Sequence, residues 1–135
     1  MSARKLQDRV LEVDSMLSMK IWDRDFDLKV LYDCYAGEDV LDEQKEALKQ
    51  FSSDKKTIEA SKEKVEKYCL SQNGNEIGAD EIDNIFKYVM PESIFVKRDC
   101  RVALMCRYKF DAEHGIAVIF KDGKIIEVGS QDIIL

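Results

Sequence analysis

Apolar and polar residues alternate strictly through "FDLKVLYDCYA". Phe26, Leu28, Val30, Tyr32 and Cys34 share one parity, and Asp27, Lys29 and Asp33 share the other. Side chains on a strand point to opposite faces in turn, so this period predicts a half-buried strand. Upstream, "RVLEVDSMLSMKIW" predicts one or two weaker strands, or a short helix and a strand, with "DRDFD" as the turn.

The middle third changes period. Leu41, Gln44, Leu48 and Phe51, with Ala47 beside them, follow helical spacing after a candidate cap at Asp39. A second helix carries the stripe Ile58, Ser61, Val65, Tyr68 and Cys69, with Ser53 as its cap and Asn73-Gly74 as its end. A third is expected over "ADEIDNIFKYVMP", with Ile82, Ile85, Phe86 and Val89 on one face, Asp80 as cap and Pro91 as stop.

Alternation returns in the last third. "SIFVKRD" is a short strand, "RVALMCRYKF" places Val102, Leu104, Cys106, Tyr108 and Phe110 on one face, and "GIAVIFK" carries Ile116, Val118 and Phe120. Asp122-Gly123 is a two-residue hairpin signal, "KIIEVG" returns, and "QDIIL" closes as a short strand or packed tail. Strands, then helices, then strands predict an α+β fold. We expect an antiparallel sheet built from N-terminal and C-terminal strands, with about three central helices packed on one face. The 135 residues form a single domain, 1–135, in this reading.

Charge adds a polarity to this picture. The net charge is −6, and residues 37–91, with eight bases and thirteen acids, supply most of it. Phosphate repulsion argues against nucleic acid as a direct partner. A basic protein would be steered toward such a surface. The plainer reading is that an acidic helical face keeps the protein soluble. The N-terminal "MSARKLQDRV" lacks the apolar core of a signal peptide, and the longest apolar run is five residues, Ile116 to Phe120. A cytoplasmic protein without membrane contact is expected.

One short segment invites a chemical reading. "DAEHG" holds the only histidine of the chain, between two alternating stretches. His114 could act as a general base held by Asp111 or Glu113. The favoured reading is a turn: Asp111 would make a side-chain turn and Gly115 would supply a positive φ. Neighbouring side chains on extended backbone diverge, which also separates Glu113 from His114.

Other candidates are weaker. Cys34, Cys69, Cys100 and Cys106 contain no C-x-x-C, and three of them fall on predicted inner faces. Cys100 is left as the candidate reactive thiol. "DRDFDL" opens like a calcium loop, but Leu28 and Cys34 stand where glycine and glutamate are required. "NGNEIG" lacks the strand and lysine of a phosphate loop, and no G-x-S-x-G elbow occurs. Trp22 and the tyrosines are read as core rather than pocket. No metal and no cofactor are expected.

"YAGEDVLDEQKEAL", "IFVKRD", "FDAEHGIAV" and "VGSQDIIL" together resemble a family of small uncharacterised bacterial proteins carrying a domain of unknown function. The EHG segment and the "GSQDIIL" end are the most specific parts. The resemblance implies no activity and transfers no catalytic residue. Small acidic α+β proteins of this sort are also similar in kind to immunity proteins of bacterial toxin systems. The leading expectation is therefore a non-enzymatic protein-binding module, such as an immunity protein that neutralises a basic toxin. Its partner-binding residues would be Asp42, Glu43, Glu46, Glu63 and Glu66. The alternatives are a small hydrolase or transferase using His114 with Asp111 or Glu113, and a regulatory or scaffolding module. An exposed edge strand leaves a homodimer open.

Overall fold

The computed structural model describes residues 8–35 and 37–135, with side chains described from residue 16 onward. Among them, six strands form one sheet in the order β1-β2-β3-β4-β5-β6. These are β1 Asp8–Ile21, β2 Arg24–Tyr35, β3 Val89–Val96, β4 Val102–Tyr108, β5 Ile116–Lys121 and β6 Lys124–Gly129. Two helices, α1 Asp42–Ser53 and α2 Lys55–Ile77, lie between β2 and β3. Neighbouring strands pair antiparallel except β2 and β3, which run parallel. A parallel pair needs a long crossover, and the two helices supply it.

The α+β class stands, but two parts of the expectation do not. The sheet is mixed rather than antiparallel, and two helices rather than three cover it. The expected third helix is replaced by a 3₁₀ turn, Ile85–Lys87, leading into β3. Asn84 accepts a hydrogen bond from Phe86 N at 3.1 Å, a local bond that competes with helix propagation. Ile85 and Val89 are buried from the turn and the strand instead, so the apolar spacing is met without a helix. Pro91, read as a stop, lies inside β3 beside a bulge between Pro91 and Ser93. A bulge is where a strand tolerates the missing N–H.

The helix ends also move. Leu41, not Asp39, is the N-cap of α1, because Gln44 fixes the start. Gln44 is fully buried; its Oε1 accepts from Leu41 N at 2.9 Å, and its Nε2 donates to Asp33 O at 3.0 Å and Val96 O at 3.2 Å. One side chain thus joins α1 to β2 and β3. Asp54, not Ser53, caps α2 by accepting from Thr57 N at 3.2 Å. Asn73 interrupts α2 with φ −136°, yet the helix resumes and ends at Gly78 with φ 71°. At that interruption Asn73 Oδ1 accepts from Tyr108 OH at 2.7 Å, an anchor to β4.

The main core lies between the helices and one sheet face. Leu28, Val30, Ile94, Val96, Leu104, Cys106, Ile116 and Val118 meet Phe51, Ile58, Val65 and Cys69 there. Each fully buried aliphatic side chain contributes about 1.5–3 kcal/mol. On the opposite face, Phe95, Ala103, Met105, Ala117, Ile119 and Ile134 form a second cluster. Ile134 comes from the tail, where Gln131–Ile133 form a 3₁₀ turn.

Candidate functional site

The β4–β5 loop and the C-terminal tail build one site. Asp111 Oδ1 accepts from His114 N at 3.1 Å, and Asp111 O accepts from Gly115 N at 2.9 Å. This is a single helical turn capped by its own aspartate. Gly115 closes it at φ 58°. The same carboxylate holds the imidazole, with His114 Nδ1 3.0 and 3.1 Å from its two oxygens. Glu113 is exposed on the outside of the turn. Of the two acids weighed for His114, the loop brings Asp111 to it through Nδ1.

The tail meets this turn from the other side. Gln131 N donates to His114 O at 2.9 Å, and Gln131 Nε2 donates to Cys106 O at 3.1 Å. Asp132 Oδ2 stands 3.9 Å from His114 Nε2. The two stretches EHG and GSQDIIL therefore touch. Gln131 and Asp132 were not among the residues expected here. The hairpin at Asp122-Gly123 carried the signal. It pairs Lys121 with Lys124, and one bulge then pairs Ala117 with Gly129. That register sets residue 131 beside residues 114 and 115.

Electrostatics follow from these contacts. The hydrogen bond and charge of Asp111, with a smaller contribution from Asp132, raise the His114 pKa above its ordinary value. Hydrogen bonds from His114 N and its ring lower that of Asp111. A raised histidine pKa stabilises the fold fully below the unfolded value of about 6.5, and that contribution is lost as pH rises through the folded value. The Asp111 contribution is present above the unfolded value of about 3.9 and lost as pH falls through its own folded value. The pair is strongest between these limits. Because His114 is the only histidine, its ring protons titrate alone in an NMR spectrum. We expect a midpoint above 6.5 that drops in Asp111→Asn and drops less in Asp132→Asn. An unchanged midpoint in Asp111→Asn would remove this pair from the site.

The remaining candidates are dispersed. Cys69 and Cys106 are buried, and burial pushes the Cys69 thiol up to about 11 and the Cys106 thiol higher still. Cys100 is half-buried, and desolvation raises its pKa too, the reverse of an activated thiol. Among the described residues no three His, Cys, Asp or Glu side chains converge in a metal-binding arrangement. Asp42, Glu43 and Glu46 line a shallow groove with Asp122 and Cys100. Glu63 and Glu66 lie further along on α2, and Glu63 is already paired with Lys67 at 3.2 Å. A neighbouring cleft between Phe51, Ile58 and Phe120 encloses about 20 Å³, room for about one water.

A family model matches residues 5–135, almost the whole chain. The chain belongs to the family defined by the domain of unknown function DUF6985. No curated protein and no solved structure matches it. Family membership thus brings no activity to the site, and its chemistry rests on the side chains themselves. Among the described residues no helix is long and apolar enough to cross a membrane.

Proposed function

We propose that this protein is a non-enzymatic binding module of the bacterial cytoplasm, and that it neutralises a basic protein, most concretely a toxin domain. One observation supports the reading above the others. Four carboxylates, Asp42, Glu43, Glu46 and Asp122, line the groove beside α1, and among the described residues no base lines it. Asp42 and Glu43 also favour the positive end of α1, so part of their role is to stabilise that helix. Glu46 lies beyond the first turn, and Asp122 sits on a different element, the β5–β6 turn. Helix stabilisation does not account for those two. Converging acids of this kind raise the association rate of a basic partner and hold it in register. Glu63 and Glu66 extend the negative surface along α2 with weaker effect, since Glu63 is shared with Lys67.

The test is capture from lysate of the source organism, with wild-type protein and with Glu46→Lys combined with Asp122→Asn. This variant keeps both first-turn acids of α1, and asparagine tolerates the positive φ at position 122. We expect one stoichiometric basic partner on the wild type, lost at high salt and reduced at least tenfold on the variant. Expressing that partner alone should arrest growth, and co-expression should relieve it. Equal capture by the variant, or a partner that is harmless when expressed alone, would refute the proposal.

A further inference from the structure

Among the described residues, helices cover one face of the sheet and the tail packs against the other. Ile134 is buried among Phe95, Met105 and Ile119, and Ile133 folds back over Gly129, where an added Cβ would stand 3.1 Å from Ile133 Cδ1. Every polar anchor given above for this segment lies at the start of β5 or the end of β4. Gln131 holds His114 O and Cys106 O, and Asp132 faces His114 Nε2. We propose that residues 130–135 form a latch that opens as a unit over the helix-free face, and that protonated His114 helps to hold it shut.

The charged groups around the imidazole define the sense of the switch. Asp111 faces it from its own loop and Asp132 from the tail, and Glu113 acts on it only through its charge. From α2, burial and the charge of Asp111 raise the pKa of Tyr68, which stays neutral here. From β4 the contact is the backbone of buried Cys106, through Gln131. Three acids act on the ring, and among the described residues the imidazolium is the one cationic group within 4.0 Å of the Asp132 carboxylate. When pH rises and the ring loses its proton, Asp132 keeps its charge and loses that attraction. The Gln131 bonds and the Ile134 contact remain. An exposed ion pair is a small interaction, so opening should become about two- to fivefold more frequent rather than complete. Opening would uncover Phe95, Met105 and Ile119, an apolar surface of the central strands.

Hydrogen exchange read by NMR on the full chain tests this. The Gln131 amide reports the latch, because it donates to His114 O. The Leu104 and Val118 amides, in the centre of the β4–β5 pairing, report global unfolding. After correction for intrinsic rates, Gln131 protection should fall about two- to fivefold between pH 6 and pH 8 while staying below that of Leu104 and Val118 at both pH values. Asp132→Asn, at an exposed position, and His114→Gln should both flatten the pH dependence. Protection of Gln131 that is independent of pH, a pH dependence that survives in Asp132→Asn, or exchange of Gln131 only together with Leu104 and Val118 would each overturn the proposal.

Discussion

Gly115→Ala should destabilise the protein by about 3 kcal/mol or more, enough to lower its Tm by roughly 10 °C. Two costs add at this position. The backbone sits at φ 58°, which costs alanine about 1 kcal/mol relative to glycine. The new Cβ would also lie 2.5 Å from Cys106 O and 2.6 Å from Gln131 Nε2. The backbone oxygen cannot move away easily, and the Gln131 amide can swing aside only by giving up a hydrogen bond. Cys106 O belongs to β4, and Gln131 Nε2 is the group that satisfies it at 3.1 Å. The methyl group therefore pushes apart the contact that joins loop to tail. Gly78→Ala is the comparison, because its φ is 71° but nothing lies within 4 Å of the added atom. It should cost only about 1 kcal/mol. Urea unfolding of the two variants separates the steric part from the conformational part. Equal costs would mean that the loop and tail part without resistance.

The second large effect is expected at Trp22. Trp22→Ala should cost about 3–5 kcal/mol by circular-dichroism melts. Trp22 and Asp23 form the two-residue β1–β2 turn, with φ 51° and 68°. Both residues of this mirror-image turn need positive φ, a conformation usually given to asparagine or glycine. Tryptophan is held there by its tertiary contacts. Its indole is only 2% exposed, Nε1 donates to the buried Ser61 Oγ at 3.0 Å, and Phe86 lies 6.0 Å away between ring centroids. Ser61 Oγ in turn donates to Ile58 O at 2.5 Å, so the chain of polar groups is satisfied. The hairpin tip is thereby fastened to α2. Trp22→Phe keeps most of the apolar contact and loses one hydrogen bond, and it should cost about half as much. A loss below about 1 kcal/mol in the alanine variant would show that the tip packs only loosely on α2.

Both positions belong to segments whose role depends on a distant partner. "DAEHG" reads as a turn from its own residues: Asp111 can cap, Gly115 can take a positive φ, and the structure has both. The partners of that turn, Gln131 and Asp132, lie about one hairpin away in sequence. The Asp122-Gly123 turn alone would pair residue 117 with residue 128. The bulge, with Ile126 exposed at its outer side, moves the pairing to Gly129. A one-residue shift changes which side chain reaches the loop, and the bulge leaves little trace in the local pattern.

Elements whose period is local were legible in the order of residues alone. Alternation marked β2, β4 and β5, helical spacing marked the inner faces of α1 and α2, and Asp-Gly marked the last hairpin. These patterns are legible because burial against one face imposes them on consecutive residues. Tertiary structure alone decided the rest. Residues 80–91 satisfy helical spacing, but a strand at 89–96 can pair with both β2 and β4, and those long-range bonds outweigh a local helix. The parallel β2–β3 pairing, the buried Gln44 that sets the start of α1, and the tail seated on His114 all join residues far apart in the chain. Their stability comes from hydrogen bonds and packing between elements, and no periodicity within one element encodes them.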